Sequence, residues 1–308
     1  MTGWKWPGTF TSGITDGLAR IDFDAPLPSG VATLVMEYTA PYDRNLAGLY
    51  KVEQAGRPYL VTQMEAYDAR KMFVSFDEPR FKTPYSLTVT APVGMAIAAN
   101  GALEAKDDAE GGMVRYTFKT TRPIQSYLVA LMVGPYDSMT AAPIPASDLR
   151  AEPIPLRGFA AAGKGAQLRD ALDVTDEMVD WQETYFDYPY PYGKLDLIAA
   201  ADFAYGAMEN AGAIVYREAA LLIDDKTSLA RRRAIYSTHA QRTGAPAVRQ
   251  SGDARLVGRY LAERGSRHLD GDQDDERRRP GRRLGSHPGV DQPPPPCQPT
   301  ALLHPPDP

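Results

Sequence analysis

The residues best placed to do chemistry lie in one short run, Asp202-Phe203-Ala204-Tyr205-Gly206-Ala207-Met208-Glu209-Asn210. Two small residues, Gly206 and Ala207, permit close approach of a ligand backbone, and Glu209 fixes a negative charge beside it. Taken alone, such a run is equally a turn after a strand. Histidine and cysteine are sparse. The 4 histidines, His239, His268, His287 and His304, are unevenly scattered. His239 is followed one helical turn later by Thr243, so no second imidazole shares its face, and it reads as a helix-surface histidine. Cys297 is the single cysteine, which excludes a disulfide framework and a thiolate metal cluster. Asp77 and Glu78 precede Pro79 and read as turn and packing residues rather than catalysts.

Such residues need a scaffold, and the surrounding pattern supplies two kinds. Residues 31–38, 48–52, 59–63, 85–90, 114–118 and 126–133 are short, rich in β-branched or aromatic types and bounded by Pro or Gly. They predict an all-β domain over 1–150, with the proline-rich stretch 141–155 as a connection. The pattern then turns helical. From Gln167, the residues Leu168, Leu172, Met178, Val179 and Trp181 recur near helical spacing, and the run stops at Pro189 and Pro191. Residues 195–200 predict a buried strand. Residues 227–239 predict a second helix with Thr227 or Ser228 as its N-cap. No internal repeat is evident.

Composition changes sharply after Ala240. Every Lys, Phe, Trp, Met, Ile and Asn of the chain lies in residues 1–240; beyond it come Arg277-Arg278-Arg279, Arg282-Arg283 and Pro293 to Pro296. A segment without those apolar types cannot bury enough surface to offset the entropy of ordering it, so 241–308 is expected to be disordered. Its arginines are interleaved with Asp270, Asp272, Asp274, Asp275 and Glu276 and carry no aromatic stacking platform, which argues against nucleic-acid binding. The whole chain agrees: net charge is −5 over 308 residues. No run approaches the roughly 18 apolar residues of a membrane span. Nor does Met1-Thr-Gly-Trp-Lys-Trp-Pro-Gly hold an apolar signal core, so the cytoplasm is the default expectation.

The run Pro189-Tyr190-Pro191-Tyr192-Gly193-Lys194-Leu195-Asp196-Leu197, followed by Gly206 to Asn210, is similar to the stretch leading into the catalytic site of gluzincin zinc aminopeptidases, of the aminopeptidase N and leukotriene hydrolase type. Upstream, Thr62-Gln63-Met64-Glu65, Ala69-Arg70, Phe76-Asp77-Glu78-Pro79, Lys82, Asn100-Gly101 and Tyr127-Leu128-Val129-Ala130 follow the same family in order. The resemblance covers about residues 30–240. It implies a multi-domain fold: an all-β N-terminal domain, incomplete at its start, then over 151–240 the opening of a thermolysin-like α/β catalytic domain. The implied activity is removal of N-terminal residues from peptides by zinc-activated water. Gly206, Ala207 and Met208 are implied to lie against the peptide backbone, and Glu209 to bind the free α-amine with Glu65 as second carboxylate; the alternative for Glu65 is a solvent-facing strand residue. Asn210 is implied to support the turn. Two carboxylates around one ammonium accept charge-assisted bonds and reject a blocked or internal amine, which is how an exopeptidase measures a chain end.

That family takes its zinc ligands from H-E-x-x-H on a helix and a more distant Glu. The motif does not occur here, so no catalytic residue and no metal ligand is assigned, and the chain as written is expected to be inactive. A reading-frame shift accounts for this. Ala240-Gln241-Arg242-Thr243-Gly244-Ala245-Pro246 can be encoded GCG CAG CGA ACT GGC GCA CCA. Removing the G that ends the second codon gives Ala-His-Glu-Leu-Ala-His. In the same frame residues 255–265 can encode Gly-Trp-Trp-Asp-Asp-Ile-Trp-Leu-Asn-Glu, whose Glu falls at the family's spacing for the third ligand. The competing reading is a non-catalytic peptide-binding protein with a functional disordered tail. Nucleotide sequence around codon 241 separates the two.

Overall fold

The computed structural model describes residues 7–12, 17–27 and 29–251. The first part is a set of antiparallel sheets. β1 (Gly8–Ser12) pairs with β2 (Ala19–Phe23). Then come β3 (Gly48–Gln54), β4 (Arg57–Gln63), β5 (Thr88–Pro92) and β6 (Ala96–Ala99). β7 (Leu103–Ala109), β8 (Met113–Phe118) and β9 (Leu131–Gly134) follow. They form a sheet in the order β3-β4-β9-β6 and a smaller one in the order β5-β8-β7.

The second part is a mixed sheet in the order β10-β11-β12-β14-β13. Its strands are β10 (Tyr136–Thr140), β11 (Leu156–Ala161), β12 (Leu195–Ala200), β13 (Ala207–Met208) and β14 (Ala213–Arg217). Between β11 and its parallel neighbour β12 the chain crosses over through α1 (Arg169–Asp173) and α2 (Thr175–Phe186). Every residue of β12 is buried, because its two faces meet different layers. Leu195, Leu197 and Ala199 pack with Leu168, Leu172 and Val179 of the crossover. Ile198 and Ala200 pack with Tyr50, Tyr59, Val61 and Met132 of the first sheets. Two layers thus close on one strand, and burial of apolar area on both faces drives their docking. Helix α2 ends at Asp187, which takes the left-handed conformation (φ 49°) just before Pro189. Ser228 caps α3 (Leu229–Ser251) by accepting from Arg231 N at 3.3 Å.

Several expectations shift. Residues 31–38 form no strand: no ladder among the described residues runs beside them, and Val31 and Val35 face solvent. β-type composition without a neighbouring strand supplies no ladder bonds. The strand expected at 85–90 starts only at Thr88, and that expected at 126–133 is a short turn of helix (Ser126–Leu128) followed by β9. The division at residue 150 is not a sheet boundary, because β10 pairs with β11 in the mixed sheet. The disordered tail expected from 241 is corrected for its first residues: α3 continues to Ser251, with Thr243 and Gly244 buried against α2. The rest of that expectation lies outside the described residues.

Candidate functional site

The run singled out in the sequence begins where β12 ends. Tyr50 Oη donates to Asp202 O at 2.7 Å, and Arg217 donates to the carbonyls of Phe203 and Ala204 at 2.9 and 2.5 Å, so the loop is held from both layers. Ala207 and Met208 then form β13, antiparallel to β14. Among the described residues β13 is the last strand of its sheet, and its outer N–H and C=O groups have no ladder partner there. The side chains of Ala207 and Met208 are buried, while Gly206 is exposed and a Cβ built on it meets nothing within 4 Å. Neither packing nor φ demands glycine at 206, so its open space is the structural feature there.

Glu209 and Asn210 leave this edge toward the β domain, where three consecutive residues form a polar seam. Asn210 Nδ2 donates to Val129 O at 3.3 Å, Ala130 N donates to Asn100 Oδ1 at 2.7 Å, and Leu131 N donates to Thr62 Oγ1 at 3.0 Å. Asn100 Nδ2 also donates to Leu128 O and Ala211 O at 2.8 and 2.9 Å. The backbone comes close enough here that a Cβ on Gly212 (φ +68°) meets Asn100 O at 2.9 Å. Thr62, Asn100, residues 128–131 and Asn210 therefore converge, which joins motifs far apart in the sequence. Glu65 lies just beyond the end of β4, exposed, and no hydrogen bond or ion pair joins it directly to Glu209. Gln63 beside it is buried with Oε1 unpartnered, a feature the sequence did not single out. Asp77 is buried and accepts from Arg70 and from Ser126 Oγ at 2.6 Å, in keeping with a packing role.

Helix α3 closes the other side. Arg242 Nη1 donates to Glu209 Oε2, with side-chain exposures of 32% and 15%. One turn earlier, His239 is fully buried, not a surface histidine. Its face of α3 also carries Ile235 and Tyr236, both buried, and that spacing was the signal for it. Thr175 Oγ1 donates to Ala171 O at 2.6 Å, so it accepts from His239 Nε2 at 2.8 Å. His239 Nδ1 is then the acceptor for Tyr216 Oη at 2.7 Å. Burial lowers the His239 pKa to about 4 and raises that of Tyr216 well above its usual value; the nearby Glu209 raises it too, against Arg242. The imidazole is neutral, with both nitrogens engaged.

Zinc does not fit the described residues. No three His, Cys, Asp or Glu side chains among them come together as a metal site, and the one described histidine offers no free nitrogen.

The chain matches the family model described as Peptidase M1 N-terminal domain over residues 14–128 and the Peptidase family M1 domain over residues 170–240. It is 35% identical over 220 residues to aminopeptidase M1-C of Oryza sativa subsp. japonica, covering 70% of this chain and 24% of that protein. Endoplasmic reticulum aminopeptidase 2 of Bos taurus is 36% identical over 208 residues, 68% of this chain and 20% of its own. A leucyl aminopeptidase of Saccharolobus solfataricus is 34% identical over 188 residues, 61% and 23% respectively. The chain thus spans about a quarter of the length of the curated relatives it matches.

Proposed function

The chain belongs to the M1 peptidase family, and on that footing we propose that it carries the substrate-amine recognition half of a zinc aminopeptidase. One observation carries this reading: edge strand β13 leads directly into a part-buried carboxylate, Glu209, that already holds a cation. A strand edge offers N–H and C=O groups to an extended peptide. A carboxylate at the end of that edge is charge-matched to a free α-ammonium and leaves an acylated or internal nitrogen unrewarded. Gly206 and Ala207 leave room for the peptide backbone, with Met208 beside them, and Asn210 anchors the turn to Val129. Glu65, exposed just beyond the end of β4, is assigned as the second carboxylate.

No hydrolytic step is assigned to these residues, because the described residues do not fit zinc. We attribute the missing site to a frame shift in codon 241. In support, the family match stops at residue 240, inside a helix that runs to Ser251. Position 242, where the shifted frame encodes glutamate, is the one that faces Glu209. Positions 241 and 245, where it encodes histidine, share one helical face.

Zinc stoichiometry and aminoacyl-anilide turnover test the reading. The chain as written is expected to show neither. Deleting the last base of codon 241, in the gene with its flanking coding sequence, is expected to give chelator-sensitive turnover that Glu209→Ala abolishes. Zinc-dependent turnover by the unrepaired chain overturns the frame-shift account. A repaired protein that is folded and zinc-loaded but inert overturns the aminopeptidase reading.

A further inference from the structure

We propose that Arg242 is an internal occupant of the amine site: in this chain its guanidinium holds the Glu209 carboxylate that a substrate ammonium needs, so α3 keeps the recognition site shut. The proposal rests on Glu209 being the amine anchor. Arg242 Nη1 donates to Glu209 Oε2, and the pair is largely withdrawn from water on the Glu209 side. A guanidinium and an α-ammonium are both monocations that donate to a carboxylate oxygen, so each repels the other at a shared carboxylate. Seating a peptide N-terminus on Glu209 therefore places a second cation beside Arg242, a cost that withdrawal of the arginine relieves.

The contact is an incomplete one. An arginine fork binds carboxylate most tightly with two parallel N–H donors. Here one Nη donates, and Nε is buried with no partner among the described residues. An ammonium carries three donors on a compact centre, against the one donor that Arg242 supplies. Arg242 itself is a third exposed, so part of its side chain already faces water. The arrangement behaves as an autoinhibitory latch: closed by default, and opened by a ligand that outcompetes one monodentate contact or by withdrawal of the arginine.

Calorimetric titration of the full chain with L-leucinamide, beside N-acetyl-L-leucinamide as the blocked control, tests the latch. Arg242→Ala is expected to bind leucinamide at least tenfold more tightly than the parent chain. Arg242→Lys, which keeps the cation and the helix, is expected to stay as weak as the parent. Arg242→Ala combined with Glu209→Gln is expected to lose the gain, and the acetylated probe to bind none of the variants. Parent and Arg242→Ala binding leucinamide equally, both through Glu209, overturns the latch and leaves the amine-anchor reading standing. No Glu209-dependent preference for the free amine in a folded Arg242→Ala chain overturns the anchor reading and the latch with it.

Discussion

His239 and Arg242 stand one turn apart on α3, and the structure receives them very differently. Around His239 everything closes: Thr175 and Tyr216 satisfy both ring nitrogens, and Ile235 and Tyr236 bury the same face. Around Arg242 the fit is incomplete. Its Nε is buried without a partner among the described residues, and so is Oε1 of Gln182 across the interface. Pro246 sits inside the helix and has no N–H to give to the Arg242 carbonyl, a substitution that costs about 3 kcal/mol in a helix interior. Local choices that agree with the global fold mark one turn, and local choices that conflict with it mark the next. The boundary falls at Ala240, where composition changes and the family match ends. Such a contrast is in keeping with the frame shift proposed for codon 241.

The largest expected effect lies on the well-fitted side. His239→Leu removes the acceptor of Tyr216 and the donor to Thr175, leaving a buried phenol orphaned at about 1–3 kcal/mol and disturbing a packed site further. A loss of about 3 kcal/mol in urea denaturation is expected. A loss under about 1 kcal/mol would show that the first turn is no better fitted than the second, and the comparison would collapse.

Acid should find the same residue. The His239 pKa is about 4 in the fold against 6.5 ordinarily, because burial penalises its charged form. Below about pH 6.5 the unfolded chain takes up a proton that the folded chain refuses until about pH 4. Its contribution is therefore complete above 6.5 and is lost as pH falls through that window, by about 3 kcal/mol in all. Tyr216, the titratable side chain bonded to it, is held neutral by burial and does not titrate in this range. Chemical denaturation at pH 7, 5.5 and 4.5 should show this slope in the parent chain. The slope should be markedly reduced in His239→Leu.

How much of this was legible follows the same line. Strand 195–200 was readable to the residue because both its faces are buried, which turns alternation into a continuous apolar run. The N-cap at Ser228 and the run ending in Glu209 and Asn210 carried their own chemistry. Residues 31–38 misled because strand propensity says nothing about whether a partner strand is present. His239 misled because a search for metal-ligand spacing ignored the apolar face it shares with Ile235 and Tyr236. Asn100 was one motif residue among many; that it ties Leu128, Ala130 and Ala211 together depends on contacts far apart in the chain, which no local pattern reveals.

The smallest expected effect lies on the poorly fitted side and sharpens the contrast most. Gln182 is buried in α2, donates to Ala240 O at 2.7 Å and leaves its own Oε1 unpartnered. Replacing it by leucine, of similar volume, removes one net hydrogen bond worth about 1 kcal/mol. It also removes an orphaned acceptor whose desolvation costs about 1–3 kcal/mol. Ala240 O need not be stranded by the change, because Thr243 Oγ1 lies 3.1 Å from His239 O and 3.2 Å from Ala240 O and can turn its one proton to the latter. Gln182→Leu should therefore leave stability unchanged or raise it by about 1 kcal/mol, although it alters a buried polar residue at a helix interface. Thermal melts of this variant beside His239→Leu read the two turns against each other. If Gln182→Leu costs as much as His239→Leu, Gln182 is satisfied in solution and the second turn is as well fitted as the first.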